Sequence, residues 1–211
     1  MSRTRIFNVS DFTADLFTEV AAALKQGAVA VLPTDTVYGI ATGAFCEESI
    51  ARICQLKKRS LGQPLQFLMA NTPLVHEVAR FSAEAEKLAQ AFWPGGLTLI
   101  LPASQGGQPL LRGFAGLGIR VPDHPFLQQL LGALQGPLAC TSANEHGKPV
   151  ITREQDLVKL FNGHVDFIFK GGTLSPMPSS VVDLTGRPRL VREGALSGEK
   201  LEQIMGCSFT R

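Results

Sequence analysis

Thr34, Asp35, Thr36 and Tyr38 crowd into five positions directly after a short apolar run, Ala28 to Leu32, that Pro33 closes. Polar groups at the end of a core strand are what an open α/β sheet presents to its ligand crevice. They are also what an Asx or hydroxyl turn uses to bond its own backbone, so this stretch reads as a turn and as a site alike. Gly39 and Gly43 would let the backbone approach a ligand or turn sharply. Further along stand two cations, Lys57 and Arg59, then Arg120 inside an apolar strand end, the polar run Thr141 to Asn144, and Ser179, Ser180 and Arg192. Several cations and hydroxyls with no histidine among them suit the binding of anions, not acyl transfer through a serine and histidine pair.

Other chemistries lack their spacing. Ser142 sits in no G-x-S-x-G elbow and reads as a hydrogen-bonding serine, not a nucleophile. No G-x-x-x-x-G-K-[ST] loop occurs, so a bound triphosphate must be held by side-chain cations, with magnesium shared among its phosphate oxygens. Cys46, Cys54, Cys140 and Cys207 are widely spaced and the four histidines are scattered, which suggests reduced thiols and no protein-held metal. The glycines 113, 116 and 118 precede a strand in reversed spacing and are not a dinucleotide fingerprint. Twenty basic against eighteen acidic residues leave a net charge of +2, which argues against a DNA-coating protein but allows a local basic cleft. With 211 residues, one domain spanning 1–211 is expected. Residues 1–8 do not read as a leader and no apolar run is long enough to cross a membrane, so a cytoplasmic protein is expected.

The elements that must position these residues alternate helix and strand. Ala28 to Leu32 shows no apolar/polar alternation, as expected of a strand covered on both faces. Ahead of it, Ser10 caps a predicted helix that runs to about Lys25 and stops at Gly27. Helices follow over 47–58, over 73–92 in one or two pieces with Ser82 as a cap, and over 124–134. A capping box of Thr152 and Gln155 begins another helix to about Phe161, and Ser197 caps the last, to about Met205. Strands are expected at 65–70, 97–101, 119–121, 137–141, 165–170, 180–184 and 189–192, with loops at 60–64 and 103–118. The cations at 57–59 then stand at a helix end, where dipole compensation on a solvated surface, worth up to ~1 kcal/mol each, is the plain alternative to a site.

Taken in order, PTDTVYG (33–39), K-x-R (57–59) followed by Pro64 and Leu65, WPGGLT (93–98), IRVPDHP (119–125), TSAN (141–144), SSVVD (179–183) and LVREG (190–194) resemble the YrdC-like threonylcarbamoyl-AMP synthase family. The blocks cover nearly the whole chain, and their conjunction is far more specific than any one of them. The resemblance implies an α/β fold with a twisted mixed sheet, flanked by helices, and a concave cationic face. It also implies an enzyme that joins L-threonine, bicarbonate and ATP into threonylcarbamoyl-adenylate and pyrophosphate, for N6-threonylcarbamoyladenosine in tRNA. A separate transferase would then move the group to tRNA.

Carried over by position, Thr36, Arg120, Cys140 and Ser179 match threonine-binding positions. Lys57, Arg59, Ser142 and Asn144 match the catalytic centre, and Arg59, Gln63, Gly116, Ser142 and Arg192 match nucleotide positions. Three departures stand out: Leu68 where many longer members have histidine, Val150 where they have serine, and R-E-G at 192–194 where they read R-P-G. The R-E-G spelling leans toward YciO-like relatives, and K-x-R with S-A-N toward a working synthase. The chain is also expected to lack the C-terminal domain of the longer form. The alternatives are a YciO-like protein acting on a related adenylate or only on ATP, and an accessory protein that binds RNA through the same cationic hollow.

Overall fold

The computed structural model describes residues 3–60 and 62–210. Ten strands among them form one mixed sheet in the order β1-β8-β2-β3-β7-β4-β6-β5-β9-β10. They are β1 (Arg5–Asn8), β2 (Ala30–Leu32), β3 (Gly39–Gly43), β4 (Gln66–Leu68), β5 (Leu97–Leu101), β6 (Leu117–Arg120), β7 (Leu138–Ser142), β8 (Phe167–Lys170), β9 (Ser180–Asp183) and β10 (Arg189–Arg192). The helices are α1 (Ala14–Lys25), α2 (Glu47–Leu56), α3 (Thr72–Val78), α4 (Ala83–Phe92), α5 (Pro125–Leu134), α6 (Glu154–Phe161) and α7 (Gly198–Met205). No helix among the described residues is long and apolar enough to cross a membrane. The expected α/β class and mixed pairing are thus both present.

The half of the sheet around β2 is covered on both faces. Val29 and Val31 pack with Ile53 of α2 and with Leu157 and Phe161 of α6. Ala30 and Leu32 turn the other way, into a cluster with Phe17 and Leu24 of α1 and Phe126 and Leu130 of α5. Every residue from Val29 to Leu32 is fully buried, at about 1.5–3 kcal/mol for each large side chain, which is why the run carries no polar residue.

The other half is covered on one face. Leu97, Leu99 and Leu101 of β5, Leu117 and Ile119 of β6 and Val182 of β9 join a cluster with Val75 of α3, Leu88 of α4, and Leu201 and Met205 of α7. Successive side chains of a strand point to opposite faces. The intervening residues, Thr98 and Ile100 of β5, Gly118 and Arg120 of β6, Val181 of β9 and Gln66 of β4, therefore face away from these helices and form the floor of a cavity.

Local expectations held where tertiary contacts agreed with them. Ser82 and Ser197 cap α4 and α7 by accepting from Ala85 N and Lys200 N. Ser10 does not cap α1: residues 9–11 form a separate 3-10 turn, and Thr13 takes the cap position without a side-chain bond. The Thr152–Gln155 capping box does not form either, because the helix begins later, with Arg153 at the cap. The largest correction is β3: residues 39–43, where Gly39 and Gly43 suggested a sharp turn or a close approach to a ligand, are a fully buried strand antiparallel to β2 and β7, and of the two glycines Gly39 lines the cavity. A side chain at Gly39 would put its Cβ 2.6 Å from Cys140 Sγ, so the close strand pairing decides the residue and overrides the poor strand propensity of Gly-Ile-Ala-Thr-Gly. β1, which pairs in parallel with β8, was not foreseen. Of the expected 60–64 loop, Leu61 lies outside the described residues, as do Met1 and Ser2 of the stretch searched for a leader.

Candidate functional site

A cavity of about 330 Å³ opens on the uncovered face of the sheet. Segments from along the chain deliver its walls: the loop before β3, the α2–β4 loop with β4, β5, β6, the end of β7, β9 and β10. Thr36, Arg59, Gly116, Arg120, Cys140, Ser142, Ser179 and Arg192 all line it. Three other predicted site residues do not. Gln63 borders a neighbouring cavity of about 460 Å³, which shares Pro64, Leu65 and Gly116 with the first. Lys57 and Asn144 lie behind Ser142, both buried.

Lys57 spends its three protons on the backbone and side chain of the β7 end. Its ammonium donates to Ser142 O, to Asn144 O at 2.6 Å and to Asn144 Oδ1 at 3.0 Å. Burial and then the nearby Arg59 charge pull its pKa down from 10.5 to about 8. Asn144 Oδ1 also accepts from Ser142 Oγ at 2.6 Å, and Asn144 Nδ2 donates to Lys148 O at 2.5 Å. Ser142 therefore has its proton committed to an amide oxygen, which cannot act as a base. Lys57 and Asn144 shape the strand end from behind; Ser142 is the member of this group that meets the cavity.

Three guanidinium groups meet the cavity directly. Arg59 Nη1 donates to Thr141 Oγ1 at 3.2 Å and Nη2 to Pro64 O at 2.9 Å, while its Nε is buried without a partner. An orphaned donor of this kind costs about 1–3 kcal/mol and points to an acceptor that arrives with a ligand. Arg120, 1% exposed, donates through Nε to Gly95 O at 2.9 Å, through Nη1 to Thr36 Oγ1 at 2.7 Å and through Nη2 to Asp35 Oδ1 at 2.6 Å. Arg192 bonds both Ser179 O (3.0 Å) and Ser179 Oγ (3.2 Å), and burial, then repulsion from Arg120, lowers its pKa. Among the described residues no Asp or Glu lines the cavity. Asp35, the carboxylate that balances Arg120, stands just behind it.

Thr34 and Thr36 both line the cavity, and Thr34 makes the turn as well. Thr34 is the turn residue, for its Oγ1 donates to Val37 O at 2.7 Å and accepts from Thr36 N at 3.1 Å. Thr36 reaches the cavity floor and holds Arg120. Tyr38 belongs to neither, since it is buried against α2 and α6 and its hydroxyl ties β3 to Gly172 O. Cys140 is buried and its thiol is pushed up to about 12, chiefly by burial, so it stays protonated and is no nucleophile.

Sequence reasoning missed Gln66 and Thr98, which continue the Arg192–Ser179 bonds across the floor: Thr98 Oγ1 lies 2.9 Å from Ser179 Oγ and 3.1 Å from Gln66 Oε1. The signal was there, because each is a polar residue at an alternate position of an otherwise apolar strand. Val150, noted for its departure, also lines the cavity, whereas Leu68 is fully buried among the α1 and α5 side chains. No group of three or more His, Cys, Asp or Glu among the described residues could hold a metal.

Comparison with known proteins agrees with this fold. A curated relative, the threonylcarbamoyl-AMP synthase of Pyrococcus abyssi, is 34% identical over 208 residues, 96% of this chain. The chain spans only 61% of that relative's length. The crystal structure of P. abyssi Sua5 complexed with L-threonine superposes with a TM-score of 0.89 at 32% identity, covering 98% of this chain and 62% of that one. Escherichia coli YciO superposes with a TM-score of 0.85 at 26% identity, covering 95% of this chain and all of YciO. The Sua5/YciO/YrdC family model, described as telomere recombination, matches residues 22–194, and the chain belongs to that family.

Proposed function

We propose that the cavity binds L-threonine, bicarbonate and ATP and forms L-threonylcarbamoyl-adenylate and pyrophosphate, the activated intermediate for N6-threonylcarbamoyladenosine in tRNA. One observation carries the reading. The residues that match the family's threonine positions, and all those that match its nucleotide positions except Gln63, arrive from distant segments at a single hollow that among the described residues is lined by three guanidinium groups and no carboxylate.

The threonine amine attacks the bicarbonate carbon, and loss of water leaves a carbamate. A carbamate oxygen then attacks the α-phosphorus of ATP, and the bond to the bridging oxygen breaks as pyrophosphate leaves. Bicarbonate, ATP and the threonine carboxylate are all negatively charged, so the protein's task is to hold like charges together and to neutralise the charge that builds at phosphorus. Arg59, with its free Nε, faces the phosphate side; Arg120 receives the threonine carboxylate; Arg192 and Ser142 complete the nucleotide side. Because Gln63 and Gly116 border the second cavity, the nucleotide extends across the Pro64–Leu65 rim. Magnesium enters as part of the metal–ATP substrate, and no protein residue is assigned to it.

Purified protein with ATP should release pyrophosphate only when threonine and bicarbonate are both present. Equal release without threonine would remove the synthase reading. The near-complete overlap with YciO supports a second reading, a related adenylate or plain ATP hydrolysis, and the same assay separates it: phosphate or pyrophosphate release would then ignore threonine. Each substrate should also raise the melting temperature by mass action. Direct RNA binding would instead fall steeply with salt. On the synthase reading a separate transferase consumes the adenylate.

A further inference from the structure

Counting protons along the hydroxyl chains of the floor yields a polarity. A hydroxyl has one proton and two lone pairs. Thr98 Oγ1 gives its proton to Gln66 Oε1. The 2.9 Å contact between Thr98 and Ser179 therefore has Ser179 as its donor. Ser179 Oγ already accepts from Arg192 Nη2, so what remains to it is one lone pair, in a residue that lines the cavity. The same count applies across the cavity. Thr34 gives its proton to Val37 O, so Thr36 is the donor in their 3.0 Å contact, and with Arg120 Nη1 bonded to it Thr36 also keeps one lone pair. Two hydroxyls that look interchangeable as donors or acceptors are both fixed as acceptors. Beside them the guanidinium groups are fixed donors.

We propose that Thr98 is a positioning residue which, by taking the Ser179 proton, turns a Ser179 lone pair to the ligand and makes the site select an amine-bearing amino acid over the same acid without its amine. The inference rests on the amino-acid reading of the cavity and adds the residue that sets its selectivity. Acceptors at Thr36 and Ser179 suit the N–H protons of the ligand's amine; donors at Arg120 suit its carboxylate. Without the Thr98 hydroxyl, Ser179 is free to point its proton into the cavity, where it opposes an amine and tolerates its loss.

The test compares calorimetric binding of L-threonine with that of 3-hydroxybutanoate, which keeps the carboxylate and hydroxyl and lacks the amine. Wild type should prefer threonine, Thr98→Val should lose that preference by about tenfold or more, and Thr98→Ser should restore it, since buried polar groups left unpaired dominate such discrimination. A mere packing role would weaken both ligands alike and leave the ratio unmoved, and an unmoved ratio overturns the proposal. If wild type binds neither ligand, the amino-acid reading falls while the polarity remains open to direct observation. In a neutron structure of the ligand-free protein, a deuteron on Ser179 Oγ directed at Thr98 Oγ1 supports it, and one directed into the cavity overturns it.

Discussion

β2 and β5 show how one sheet builds a wall and a site. In β2 both sets of alternating side chains meet helices, so 29–32 reads Val-Ala-Val-Leu with no polar residue. In β5 one set, Leu97, Leu99 and Leu101, meets α4 and α7, and the other, Thr98 and Ile100, meets the cavity. A continuous apolar strand is a partition; a strand with one polar residue on its alternate face is a floor. The second kind lines the cavity because no helix among the described residues covers it on that side. The contrast extends to charge: the cations of the uncovered half stand around a space, while Lys57, just behind it, is already saturated by oxygens of the protein.

The sharpest way to break the comparison is to exchange effects between the two faces of β5. Leu99→Ala should cost about 2–5 kcal/mol of stability, as a fully buried leucine does, and leave KM values for surviving folded protein near wild type. Ile100→Ala, one residue on, should cost clearly less in a urea titration. Equal losses would mean that the uncovered face is packed like the other. Arg59→Ala should do the opposite of Leu99→Ala: a loss of about 2–4 kcal/mol of transition-state stabilisation in kcat/KM, as for one preorganised donor at an anionic centre, with little change in unfolding midpoint. Unchanged kcat/KM would reduce Arg59 to surface charge.

Arg120→Ala discriminates the two ends of the cavity. It should raise the threonine KM by about tenfold or more, because the guanidinium is lost and the Asp35 carboxylate that it balanced is left facing an anionic ligand. The ATP KM should move less. A larger effect on ATP would place the nucleotide, not the amino acid, beside Asp35.

How much of this was legible depended on whether local pattern and tertiary contact agreed. The burial of β2 and the caps at Ser82 and Ser197 could be read directly, since each follows from a few neighbouring residues. Arg120 stood out because a cation in an apolar strand end needs a reason. β3 could not be read, because the tight approach to β7 at Gly39 selects small residues that no strand propensity favours. Thr98 and Gln66 were passed over because LTLIL and LQFLMA were weighed by apolar content when the informative quantity was which face each polar residue occupies. The K-x-R pair shows the limit from the other side. Lys57 and Arg59 are two positions apart at the end of α2, yet one faces the β7 end and the other the cavity, a division that depends on β7 being there.

That division leads to the smallest effect. The folded pKa of Lys57 is about 8 against an ordinary 10.5, so between those values the unfolded chain holds the proton more often than the folded one. Stability rises with pH wherever the unfolded state binds more protons. The cost of burying the ammonium is thus fully present below about pH 8, relieved as pH climbs, and gone above 10.5. Lys57→Met has no such titration. The difference in urea midpoint between wild type and Lys57→Met should therefore shift in favour of wild type across this window, modestly, because the three oxygen acceptors favour the charged form and offset part of the burial. Parallel curves for wild type and Lys57→Met would mean that burial does not disfavour the charged form of Lys57 behind the strand end.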